Sequence, residues 1–129
     1  PAAESQARLA LPVLERWLDP EHYEIALARH ALGRALLAQG NAKDAEAELR
    51  VAAERCEAAF TRNDVRTREY SYAWGEALAV LNDPRAEPLL HAAAEELTQD
   101  PRYQGAVRAR ALAWLAKHSA ARVAAGALR

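Results

Sequence analysis

Residues 26–54 read ALARHALGRALLAQGNAKDAEAELRVAAE, and their reading decides the fold. Apolar side chains recur at the three-to-four spacing of one helix face: Ala28, Leu32, Ala35 and Leu36, then Ala45, Leu49 and Ala52. Between the two runs stands Gly40-Asn41. Glycine reaches the left-handed conformation that ends a helix, and asparagine caps the helix that follows. The stretch predicts two amphipathic helices folded back on each other across a tight turn.

The neighbouring segments repeat this plan. Residues 2–18 carry Ala7, Leu11, Leu14 and Leu18 at helical spacing. Pro12 either kinks that helix or sits in its first turn, with the regular part starting near Leu11. Further helices are predicted over 21–39, 42–60, 65–81, 85–98 and 102–118. The tail SAARVAAGALR forms a short closing helix or frays. Asp19-Pro20, Asp83-Pro84 and Asp100-Pro101 each end one periodic run and open another, with aspartate as cap and proline in the first turn. No segment alternates with period two, so no strand is expected.

Composition agrees with stacked helices. Hydrophobic residues make up 51% of the 129, about half of them alanine, and only 6% are aromatic. Alanine favours helix and lets helices approach closely. The charge balance is 17 cations to 18 anions, net −1, so no global field draws in nucleic acid. The single cysteine, Cys56, falls on an apolar face and reads as a buried, inert thiol. No apolar run is long enough for a membrane span, and no signal peptide is visible. The chain begins with Pro1 and lacks methionine, which suggests a processed piece of a longer, cytoplasmic bacterial protein.

Set at fixed offsets, Leu32, Gly33, Leu36, Gly40, Ala45, Leu49 and Ala52 resemble the tetratricopeptide repeat. A second copy fits Trp74, Gly75, Leu78, Ala86, Leu90 and Ala93, with Asn82-Asp83 in place of the turn glycine. A partial third copy fits Leu112-Ala113, and Ala7, Leu11 and Leu14 resemble the second helix of a preceding copy. From Gly33 to Gly75 the period is 75 − 33 = 42 residues, longer than the usual period of about 34. It is similar to the long-helix variant of kinesin light chains. Arg29 stands where the family carries an aromatic, and Leu36 where tyrosine is common.

The resemblance implies one all-α domain, an antiparallel helical-hairpin solenoid wound as a right-handed superhelix. It would hold a half repeat (2–18), two repeats (21–60 and 65–98) and a partial repeat (102–128), as about six helices plus a short C-terminal one. Leu32, Leu36, Leu49, Trp74 and Leu90 would fill the interhelical grooves, with Gly33, Ala45, Gly75 and Ala86 at the crossings. It also implies a concave face on the first helices of each copy, lined by Leu27, His30, Arg34 and Leu37, then Glu69, Tyr72, Glu76 and Ala79, then Val107, Arg110 and Trp114. The groove candidates are His30, Arg34, Glu69, Tyr72, Glu76, Arg110 and Trp114, with Tyr72 and Trp114 as anchors.

Nothing in the sequence points to catalysis. The histidines form no i, i+4 pair, the glycines form no phosphate loop, and Glu87 with His91 makes at most one edge of a metal site. No cofactor and no metal are expected. Arg102, Arg108 and Arg110 with Tyr103 and Trp114 form a basic-aromatic cluster, read as a solvated helix face over core aromatics. The expected activity is binding of a protein or peptide partner in the groove. Self-association, a regulatory domain answering a small peptide and, less favoured, nucleic-acid binding are the alternatives.

Overall fold

The computed structural model describes residues 2–19, 22–103 and 105–127, with the side chains of the last helix described as far as His118. Among the described residues six helices follow one another: α1 (Ala2–Trp17), α2 (Tyr23–Ala38), α3 (Ala42–Phe60), α4 (Val65–Val80), α5 (Ala86–Gln99) and α6 (Ala106–Ala127). Among the described residues there is no strand. No helix is long and apolar enough to cross a membrane. Each helix packs on its neighbours in sequence, and α2 also touches α4.

Two turns are built alike. After α2, Gly40 takes φ +84°; Asn41 N–H donates to Leu36 O at 2.9 Å and Gly40 N–H to Leu37 O at 3.0 Å. After α4, Asn82 takes φ +57°; Asp83 N–H donates to Leu78 O at 2.9 Å and Asn82 N–H to Ala79 O at 3.0 Å. Both are Schellman closures, in which the amides of a left-handed residue and of the residue after it satisfy orphan carbonyls. Asparagine is the non-glycine residue best suited to that conformation, so Asn82-Asp83 does the work of Gly40-Asn41.

The hairpins also cross alike. A Cβ on Gly33 would meet Leu49 Cγ at 2.5 Å and the Ala45 carbonyl oxygen at 3.3 Å. A Cβ on Gly75 would meet Leu90 Cγ at 2.8 Å. Leu49 and Leu90 are fully buried, so each helix pair closes where a glycine removes the obstacle. The core runs as a ribbon through these crossings. One cluster joins Leu11, Ile25, Leu32, Leu36, Leu49 and Ala77; another joins Tyr72, Leu90, Leu97, Val107 and Ala111. Burying each leucine contributes about 1.5–3 kcal/mol.

Several boundaries differ from the sequence-based expectation. Helix α2 starts at Tyr23, capped by His22, whose Nδ1 accepts from Glu24 N–H at 3.2 Å; Asp19 is not its cap. Pro20 lies outside the described residues. Asp83 and Asp100 also stand ahead of their helices. Each accepts the amide two residues on, and the arginine there returns two side-chain hydrogen bonds to the same carboxylate: Arg85 to Asp83 and Arg102 to Asp100. Asp64 and Arg66 do the same at the start of α4. The recurrent device is therefore Asp-x-Arg, an Asx turn gripped by a guanidinium fork, and Asp-Pro is one form of it. At the C-terminus, residues 119–127 continue α6, in place of a separate closing helix. Pro12 sits exposed inside a helix that already begins at Ala2, so the start near Leu11 is excluded.

Candidate functional site

The residues assigned to the inner row divide into a surface set and a buried set. On α2, Leu27, Ala31, Arg34 and Ala38 form an exposed stripe. Leu27 is 47% exposed, and Arg34 makes no hydrogen bond or ion pair among the described residues. His30 turns from this stripe toward α4. Its ring stacks on Tyr70, 3.9 Å between centroids and 7° from parallel, and its Nδ1 is buried without a hydrogen-bond partner. Burial, reinforced by Arg34 and then Arg110, pushes its pKa down to about 4, so the ring is neutral at pH 7.

Tyr72 is not a surface anchor. Its ring is 2% exposed and belongs to the core between α4, α5 and α6. Its hydroxyl donates to Arg110 O at 3.2 Å, and burial followed by the Glu76 charge pushes its pKa up to about 12. A tyrosine fits here because a core phenol needs one acceptor, and the α6 backbone supplies it. Val107 is likewise buried. Above Tyr72, Arg110 donates twice to Glu76, at 3.2 and 3.1 Å, with each side chain about one third exposed (33% and 30%). Arg110 also lies over the Tyr72 ring at 5.9 Å. Glu69 sits beside the Tyr103 phenol, whose pKa is raised by burial and then by that carboxylate.

Arg34, His30, Glu76, Arg110 and the Tyr72 hydroxyl thus share one neighbourhood, formed by α2, α4 and α6. The chain matches no family model, no curated protein and no solved structure. Trp114 belongs elsewhere: it stacks on His118 at 3.9 Å and meets the edge of His91 at 6.1 Å, on the α5 side of α6. Its hollow, about 420 Å³, is lined by Asn82, Asp83, Glu87, Leu90, Trp114 and His118. A second hollow of about 390 Å³ lies over Asn63, Arg68, Glu96 and Tyr103. Arg68 is buried there and paired with Glu96.

The packing residues occupy the crossings. Leu32, Leu36, Leu49 and Leu90 are buried, as are Ala45 and Ala86. Trp74 is half-buried, its indole N–H donating to Glu46 Oε1 at 3.1 Å. Leu112 and Ala113 are exposed, because no helix packs over that side of α6. Cys56 is fully buried and burial raises its pKa, which leaves it a poor nucleophile. Among the described residues no three His, Cys, Asp or Glu side chains group closely enough to hold a metal ion.

Sequence reading passed over one surface feature. Leu9, Val13 and Trp17 stand on the outer face of α1, 75%, 57% and 75% exposed. Their i, i+4, i+8 spacing was visible, but Leu11 and Leu14 offered a competing apolar face of the same helix, and only that face is covered.

Proposed function

We propose that the chain is a tetratricopeptide-like helical-hairpin solenoid that works as a non-catalytic interaction module, taking a peptide or helix along the inner face of α2, α4 and α6. The repeat reading is supported by two hairpins with the same closure and the same glycine–leucine crossing. The observation that carries the binding reading is the uncovered stripe of α2. Leu27 offers an apolar contact, and Arg34, two turns on, offers a charge with no internal partner. Arg110, already held by Glu76, adds a second guanidinium across the row. The preferred segment is apolar with a carboxylate about two turns away, matched to Leu27 and Arg34. With Tyr72 in the core, Leu27 takes the role of apolar anchor.

A displayed library of random peptides panned against the full chain tests this. Selected sequences should pair an apolar residue with Asp or Glu. Arg34→Glu should reverse the charge preference, and Leu27→Asp should weaken the selected peptides about tenfold or more. Enrichment indifferent to both substitutions sinks the proposal.

A second reading, self-association, is favoured by the exposed Leu9–Val13–Trp17 ladder. Apolar stripes of this kind mark contact surfaces. Sedimentation of the chain should then show a concentration-dependent dimer that Leu9→Glu with Trp17→Glu abolishes. A monomer at all concentrations removes this reading and leaves the first untouched.

A further inference from the structure

The two ends of the helix row are open on faces of opposite relief. On α1, Ala7 and Leu11 pack into the core. Leu9 and Val13 each stand two positions further on, about 200° round the helix, so the ladder points away from α2. On α6, Val107 and Ala111 pack into the core. Ala109 and Ala113, two positions further on, point away from α5 and are exposed, and exposed Ala116 extends their line. One end thus presents large apolar side chains and the other a furrow of alanines. The hairpin crossings inside the chain join such faces: Leu49 sits on Gly33 and Leu90 on Gly75. In the partial third copy Ala113 holds the place of those two glycines, yet it is exposed.

We propose that the Leu9–Val13–Trp17 ladder of one copy seats on the α6 alanine furrow of a second copy, so that copies stack head to tail. The proposal rests on the self-association reading and names the surface that receives the ladder. Large side chains set over alanines let two helices approach closely, whereas ladder against ladder holds them apart. The contact continues an interface the chain already uses. Each helix from α1 to α6 packs on the next, and α6 against the α1 of another copy extends that row. Such a contact is heterologous: two joined copies still carry one free ladder and one free furrow, so growth continues past the dimer. One helix face on another buries less than the ~800 Å² per partner of a standard interface, so each step is weak and needs high protein concentration.

Sedimentation equilibrium of the full chain tests this with two double variants. Leu9→Glu with Trp17→Glu blocks the ladder, and Ala109→Glu with Ala113→Glu blocks the furrow. All four positions are exposed and glutamate is a good helix former, so circular dichroism should show both variants as helical as the parent. The weight-average mass of the parent should rise past that of a dimer, and each double variant alone should stay monomeric. Mixed in equal amounts, the two variants should form a dimer and nothing larger, because the intact furrow of one meets the intact ladder of the other. Ala113→Leu adds apolar surface but fills the seat, and should weaken association several-fold. A furrow variant that dimerises like the parent overturns the proposal and leaves a ladder-to-ladder dimer standing. A helical mixture that stays monomeric while the parent associates overturns it too, as does tighter association by Ala113→Leu. A parent monomeric at all concentrations removes both this proposal and the self-association reading.

Discussion

At the scale of single residues, His30 is the most informative. Its folded pKa of about 4 lies below the ordinary 6.5, so the unfolded chain takes up a proton first as pH falls. The stability its neutral ring contributes is complete above about pH 6.5. It declines from there to about pH 4, below which folded and unfolded rings are both charged. The loss is about 3 kcal/mol. Urea unfolding across this range should show that decline in the parent chain and a flatter profile in His30→Phe. A parallel decline in both would place the proton elsewhere. Gly33 makes a different claim. Alanine there gains helix propensity, about 1 kcal/mol, but drives Cβ into a leucine that is fully enclosed. Overpacking wins, and Gly33→Ala should lose ~1–2 kcal/mol net in denaturant melts, with Gly75→Ala losing less because its contacts are longer. The positions of both glycines were legible as small residues in an apolar run. The burial of Tyr72 was not, because the residue that needs its hydroxyl is the Arg110 carbonyl, 38 positions away.

At the scale of elements, turns and helix starts obey local chemistry. Gly40 has open space around its Cβ position, so its requirement is conformational alone. Gly40→Ala should cost ~1–2 kcal/mol through left-handed strain. Asn82→Gly should be neutral or slightly stabilising, and thermal melts of the two variants would separate strain from packing. The boundaries of α3 were legible to the residue, because Asn41 caps it and Phe60 precedes a polar turn. The start of α6 was misplaced, because proline and aspartate mark where a turn begins. Here the turn runs several residues before the helix does. Arg108 shows why that turn holds: its guanidinium donates to the carbonyls of Leu97, Thr98 and Asp100, tying the end of α5 to the start of α6. A sequence reader sees only another cation. Arg66 is similar, since its fork grips Asp64 while its plane lies 3.4 Å over Phe60. Arg66→Lys should lower the melting temperature although the charge is kept, because lysine has neither the fork nor the plane.

At the scale of the whole molecule, α2, α3, α4 and α5 each have helices on both sides, whereas α1 and α6 each have one principal neighbour. Amide hydrogen exchange should therefore be slowest in the middle four helices and fastest in α1 and α6. Equal protection across all six would mean that the ends are held by something other than their single interface. Local periodicity announced this order of helices. Which faces stay uncovered was harder to see, since Leu9 and Leu11 look alike until α2 chooses between them. Neighbour-on-neighbour packing also bears on time. Most contacts close only a hairpin's length of chain, so little loop entropy stands in the way of the first native contacts. Refolding by stopped flow should be complete within microseconds to milliseconds, with the α2–α3 hairpin as the place where it starts.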